Sequence, residues 1–372
     1  MIIKNAKVYT ENFKFENKDL CFDGGILCDA AVGEVKDAEG MYVIPGLIDL
    51  HFHGCDGAEV VDGTYDAIHK IAKYEAKNGI TAICPSTEPV EHEKLINSLK
   101  AVGNYSADDG AVVCGINLEG PFLTVKKCGG NDVRYLCNPS FELFDEYQAA
   151  ANGKIKIVDI APDLDGSLDF IRAKSPDVVM SLAHTPADYD TAVKGFEAGA
   201  TLVTHLFNGM GAFHHRDTHL VGAAMDCGAF VELIGDGMHV CDSMIRAAYR
   251  IFGAERIVLI SDSLFCAGLP DGHYVKDYCE VDVTDGLARL ADGTINGASA
   301  NLYMNMVRLT GIGIPAEDAV RMATYNPACV LGVLDTMGTL ECGKIANFVI
   351  ADENFEIREV YVRGKREYAK CR

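Results

Sequence analysis

Residues 178–207, VVMSLAHTPADYDTAVKGFEAGATLVTHLF, decide the fold. Val178, Val179, Met180, Ser181, Leu182 and Ala183 form a short apolar run that stops on His184. A helical stretch follows over 187–198, and a second run, Thr201-Leu202-Val203-Thr204, stops on His205. Runs that are continuously apolar, rather than alternating, suit strands covered on both faces. The strand, helix, strand order makes the two strands parallel neighbours.

The same unit recurs on either side of this stretch. Apolar runs at 43–53, 81–87, 112–121, 155–162, 178–185, 201–207, 230–236 and 257–263 alternate with helical patterns such as 65–78. Eight such units predict an α/β fold, a TIM (β/α)8 barrel, in which chemistry gathers at the C-terminal ends of the strands. His51, His53, Glu119, His184, His205, Asp236 and Asp262 all fall there. A doubly wound open sheet would carry a glycine-rich phosphate fingerprint after its first strand, and Gly54-Cys55-Asp56-Gly57 is not one. Short strand patterns at 1–10, 20–30, 40–44, 343–351 and 357–364 predict a small β-sandwich domain built from 1–44 and 336–372, beside a barrel spanning 45–335. Tail helices are expected over 301–310 and 315–325, the second opening on Pro315.

The chain has 372 residues, is 49% hydrophobic, and sets 33 Lys+Arg against 54 Asp+Glu for a net charge of -21. That balance excludes a nucleic-acid coat or an anionic membrane surface as partner, while leaving room for an anionic small molecule in a locally positive pocket. No stretch approaches the roughly 20 uncharged residues of a membrane span, and Met1-Ile2-Ile3-Lys4-Asn5 opens no signal peptide, so a cytoplasmic protein is expected. The 14 cysteines are scattered without CxxC pairs and read as reduced, buried small hydrophobes.

His51-Phe52-His53 ends the first run, and residues two apart on a strand share a face, so both imidazoles can reach one ion. Alone, the pair is more often a hydrogen-bonded structural feature, and each of His184 and His205 alone is more often a core or rim histidine. Glu119 is harder to explain by packing, because a buried unpaired carboxylate is expensive. Jointly, four histidines and one glutamate at one barrel mouth supply nitrogen and oxygen ligands for one or two divalent ions, with a position open for water. Cys55, beside the histidine pair, is close enough in sequence to approach the site. Asp262 ends the last run and is the natural general base, although a carboxylate there can also cap the following helix.

Further motifs carry a resemblance. They are Pro45-Gly46-Leu47-Ile48-Asp49 before the histidine pair, Leu118-Glu119-Gly120-Pro121-Phe122, Thr204-His205-Leu206-Phe207-Asn208-Gly209-Met210, His214-His215-Arg216, Asp236-Gly237-Met238-His239, Ser261-Asp262, and Gly343-Lys344-Ile345-Ala346-Asn347. Together they resemble the N-acetylglucosamine-6-phosphate deacetylase family of the amidohydrolase superfamily over nearly the whole chain. The resemblance implies hydrolysis of an N-acetyl amino-sugar phosphate to acetate and the free amine. It also implies one or two zinc or iron ions on His51, His53, Glu119, His184, His205 and Asp262, with Glu119 bridging, and a homodimer. It assigns sugar and phosphate contacts to Asn208, Gly209, Arg216 and His239. Arg216 would act as a fixed fork for phosphate oxygens.

Two places depart from the family pattern. Counted without gaps from Glu119, the family's Gly-Ala-His falls on Gly129-Gly130-Asn131, so an amide stands where a substrate-contacting histidine is usual, with Gly130 beside it. Near the acetyl methyl, Ile295-Asn296-Gly297 replaces the usual Leu-Ala-Gly. The sugar is therefore open between N-acetylglucosamine 6-phosphate and a relative such as N-acetylgalactosamine 6-phosphate. Other amidohydrolase substrates, an N-acyl amino acid or a cyclic amide, are the wider alternative. A catalytically silent scaffold is disfavoured by the intact ligand set.

Overall fold

The protein is described here by a computed structural model covering residues 1–276 and 279–370. Leu47–Asp49, Ile80–Ile83, Ile116–Glu119, Ile155–Ile160, Val179–Leu182, Leu202–Val203, Phe230–Ile234 and Ile257–Ile260 form two parallel arcs in sequence order. The third run is split. Val112–Val113 pairs back to Ile80–Ile83, and Ile116–Glu119 pairs forward to Ile155–Ile160. Gly115 sits at the break, where a Cβ would lie 2.6 Å from Lys156 Cγ, so a larger residue would not clear the neighbouring strand.

Backbone bonds join the arcs into a barrel. Asn117 N donates to Pro85 O at 3.0 Å, Thr87 N to Asn117 O at 2.9 Å, and Asp262 N to His51 O at 3.0 Å. The last seam is reinforced by Ser261, whose hydroxyl donates to the fully buried Asp49 at 2.5 Å. Alternation along the strands sends Leu47, Ile83 and Leu118 into the layer packed by the helices. Ile48, Ala82, Ile157, Leu202, Ile234 and Val258 form a separate cluster on the opposite faces. Helix Tyr65–Lys77 shows why the outer layer forms. Thr64 caps it by accepting from Ala67 N, and Ile68, Ile71 and Ala72 recur on its buried face.

Strands from both ends of the chain pair in one eight-stranded sheet, where Phe348–Ala351 lies against Tyr42–Pro45, which in turn neighbours Ile2–Tyr9. Its apolar face closes on Ile3, Val8, Phe22, Phe348 and Tyr361, the last two rings stacked at 4.5 Å. This is the β-rich companion that the terminal strand patterns led us to expect beside the barrel. One helix expected over 315–325 is two, Ala316–Ala323 and Tyr325–Val330, and Leu302–Gly311 starts on an Asn301 cap.

One element was not anticipated. After the last barrel strand the chain makes a four-stranded antiparallel sheet, Gly272–Val275, Glu280–Thr284, Leu287–Arg289 and Ile295–Ala298. Its final strand returns to the barrel mouth, where Ala298 N donates to Asp262 O at 2.8 Å and Leu264 N to Ala298 O at 2.9 Å. Ile295, Asn296 and Gly297 are thereby carried to the C-terminal face of the barrel. Among the described residues, no helix is long and apolar enough to cross a membrane.

Candidate metal centre

The strand-end residues converge at that face. Three of them leave their strands with left-handed backbone: His184 at φ 42°, His205 at φ 29° and Asp262 at φ 50°. Such conformations cost of order 1–3 kcal/mol each for residues with a side chain, and they persist where the surrounding structure over-determines them.

Glu119 divides the set between its two oxygens. Its Oε2 lies 3.0 Å from His51 Nε2 and 3.1 Å from His53 Nε2, and its Oε1 lies 2.8 Å from His184 Nε2 and 3.6 Å from His205 Nε2. Asp262 Oδ1 completes the first side, 3.3 Å from His53 Nε2 and 3.8 Å from His51 Nε2. The result is two trios, His51 with His53 and Asp262, and Glu119 with His184 and His205. All six residues are buried.

The donor chemistry fits a divalent cation. His184 Nδ1 is 2.7 Å from Lys127 O, and a carbonyl only accepts, so Nδ1 carries a proton and Nε2 is the nitrogen left to present a lone pair. That lone pair faces Glu119 Oε1 at 2.8 Å and His205 Nε2 at 3.0 Å. Electron-pair donors this close repel one another unless a proton or a metal cation lies among them, and the same atoms are placed to hold a metal ion. Nitrogen and oxygen ligands without thiolate suit zinc, iron and their neighbours. Cys55 takes no part, because its thiol is fully buried and turned to Ile71 O at 3.9 Å.

Electrostatics favour an ionised base. Burial pushes the Asp262 carboxyl up, but the His53 hydrogen bond and the imidazoles of His51, His53 and His205 outweigh it and hold it down at about 2. For His51 and His53, burial opposes the charged ring, yet the surrounding carboxylates win and raise both well above the usual imidazole range.

A cavity of about 460 Å³ opens from His53, Glu119, His184, His205 and Asp262. Of the substrate contacts expected from sequence, Gly130, Asn131, Asn208, Gly209, His239, Ile295, Asn296 and Gly297 line it. Gly209 has to be glycine, since its φ is 61° and a Cβ would stand 2.9 Å from His184 Nδ1. At Gly130 a Cβ would fall 1.8 Å from Asn296 Oδ1, so a side chain there would displace that amide. Arg216 does not line the cavity. It is exposed on the turn closed by the bridge between His214 and Asp217.

Other residues went unnoticed in the sequence. Lys94, Arg134 and Tyr135 line the outer cavity. Asp236 holds His239, accepting from Met238 N at 2.8 Å and His239 N at 2.9 Å, with its Oδ2 2.7 Å from His239 Nδ1. The strand-end position of Asp236 was visible in the sequence, but its orienting role required the turn that brings His239 back onto it.

Burial alone would lower the His239 pKa. The hydrogen bond and charge of Asp236, with the charge of Asp262, outweigh burial and the opposing charge of Arg289, and the net shift is upward. The folded pKa therefore exceeds the unfolded value of about 6.5. The linked stability is fully present below that value and is lost as pH rises through the folded pKa. The Tm difference between wild type and His239→Gln is expected to be largest near pH 6 and to shrink as pH rises. A difference that grows with pH would contradict the assignment.

A parallel barrel that gathers nitrogen and oxygen ligands at its C-terminal mouth, with an ionised carboxylate beside them, defines a metal-dependent hydrolase. The chain belongs to the Amidohydrolase family, whose profile matches residues 42–366. It is similar to the N-acetylglucosamine-6-phosphate deacetylase of Vibrio furnissii, 34% identical over 330 residues, covering 87% of this chain and 82% of that one. It is also similar to the N-acetylgalactosamine-6-phosphate deacetylase of Escherichia coli O157:H7, 31% identical over 373 residues and 98% of each chain. Among solved structures, an aspartate-to-alanine variant of the Mycobacterium smegmatis N-acetyl-D-glucosamine-6-phosphate deacetylase, in complex with N-acetyl-D-glucosamine-6-phosphate, superposes with a TM-score of 0.92. It is 27% identical, with 99% of each chain covered.

Proposed function

We propose that this chain removes the acetyl group from N-acetyl-D-glucosamine 6-phosphate, giving glucosamine 6-phosphate and acetate. The observation that carries the reading is Glu119, which faces two histidine pairs at the inner end of a cavity lined by Asn208, Gly209 and His239. The six buried ligands would hold one or two zinc or iron ions. When bound, such an ion supplies Lewis-acid polarisation of the amide carbonyl and a lowered pKa for water. Asp262 takes a proton from the attacking water and returns it to the sugar nitrogen as the carbon–nitrogen bond breaks. Asn208 and the Gly209 backbone orient the sugar, and cationic His239, fixed by Asp236, attracts the phosphate.

Arg216 enters this reading through a homodimer, in which the exposed 213–217 turn of one copy reaches the other copy's cavity. Segments 1–44 and 336–372 form the companion β unit, and 45–335 the catalytic barrel. A phosphorylated sugar does not cross a bilayer unaided, which supports a cytoplasmic enzyme.

N-acetylgalactosamine 6-phosphate is the second reading, favoured by Asn131 in the cavity wall. The two are separated by acetate release from both epimers and from unphosphorylated N-acetylglucosamine. The first reading expects the gluco epimer to be fastest and the unphosphorylated sugar to be poor. Asn131→His is expected to change the ratio of kcat/KM between the epimers by about 10-fold, the scale of one gained or lost hydrogen bond. An unchanged ratio would remove Asn131 from sugar selection.

A further inference from the structure

Inside the barrel, beneath the atoms that face the metal position, lie carboxylates for which the reaction has no use. Glu232, in the middle of strand Phe230–Ile234, is fully buried among apolar neighbours. Its Oε2 stands 2.9 Å from His51 Nδ1 and accepts the His205 backbone N–H at 3.1 Å. Asp159 Oδ2 lies 4.0 Å from the same imidazole nitrogen. Asp159 is itself held through Oδ1 by the Thr204 hydroxyl at 2.8 Å, and Ser181 donates to that hydroxyl at 2.6 Å.

A carboxylate without solvent is costly unless it is hydrogen-bonded, and the groups bonded to Glu232 Oε2 belong to two ligand residues. Between Glu232 on Nδ1 and Glu119 on Nε2, His51 has one useful neutral form. Nδ1 donates to Glu232, and Nε2 turns its lone pair toward Glu119 and Asp262. The bond from His205 N ties the other half of the site to the same carboxylate, at a residue whose φ of 29° needs holding. Glu119, Asp262 and Glu232 set three carboxylates around His51.

We infer that Glu232 is a positioning residue for the metal centre. It fixes His51 as an Nε2 ligand and governs the affinity of the ion on the His51, His53 and Asp262 side. The inference rests on the metal reading above and not on the identity of the sugar.

The test is competition for zinc alone between the protein and a chromophoric chelator, for wild type and Glu232→Gln, which keeps size and removes charge. Wild type is expected to bind two zinc ions per chain. The variant is expected to bind one of them 10- to 100-fold more weakly, the usual effect of losing a carboxylate behind a histidine ligand, and the other unchanged. Two ions bound with wild-type affinity would overturn the role of Glu232 and leave the hydrolase reading intact. A wild type that binds one ion overturns the inference and spares a one-ion hydrolase, whereas uptake of no zinc defeats both. If the variant does not fold, zinc-loaded wild type labelled with nitrogen-15 at histidine decides. His51, identified by its absence in His51→Gln, should show a proton on Nδ1, and a proton on Nε2 would overturn the inference.

Discussion

Asp262→Asn is expected to lower kcat by about 10²- to 10⁴-fold, the range for removing a general acid–base group, with KM changed only a few-fold. The carboxylate stands where it can act on the reacting atoms and also touch the ligand set, 3.3 Å from His53 Nε2, and it lines the cavity. The imidazoles around it keep it ionised against its burial. An amide of the same size retains the backbone bonds at the seam but can neither take a proton from water nor return it to the amine. Metal analysis of the same preparations separates the two roles. The ion on the Glu119, His184 and His205 side should remain. Wild-type turnover by Asp262→Asn would remove the residue from the mechanism.

Glu119→Gln is expected to do more damage, because this one carboxylate serves both trios. Glutamine leaves one oxygen and puts an NH₂ among lone pairs that already face one another, those of His184 and His205 at 3.0 Å. Metal content should fall below that of wild type on both sides. The Lewis-acid contribution, worth several kcal/mol, would go with it, so kcat is expected to drop by at least about 10³-fold. A Glu119→Gln protein that retains the wild-type metal content would show that the two sides do not share this residue.

Much of this was legible in the sequence, for physical reasons. A parallel strand covered on both faces needs an uninterrupted apolar run, and chemistry at the C-terminal mouth needs a polar residue just after it. Val179–Leu182 followed by His184 displays both. The split of the third run was not legible, because Val112 to Ile116 carries no polar side chain to mark it and the break depends on Gly115 passing Lys156. The sheet from Gly272 to Ala298 was missed because its strands are short and partly exposed, with no long apolar run to mark them.

Glu232 could have been found. A buried unpaired carboxylate is as expensive inside the apolar run Phe230-Val231-Glu232-Leu233-Ile234 as at the strand end where Glu119 stands. Glu232 lies mid-strand, whereas chemistry in this fold is expected at strand ends, where Asp236 falls. Arg216 differs in kind, since a sequence indicates that an arginine suits a phosphate but not which copy's cavity it serves.

The central claim is that metal-dependent chemistry at the barrel mouth cleaves an acetyl group from an amino-sugar phosphate. Its most direct test is acetate release from N-acetyl-D-glucosamine 6-phosphate by protein as purified, after chelator treatment, and after return of zinc or iron. Acetate and free amine are expected in equal amounts, with loss of both on chelation and recovery with the metal. Folded, metal-loaded protein that releases no acetate from any N-acetylhexosamine 6-phosphate would contradict it.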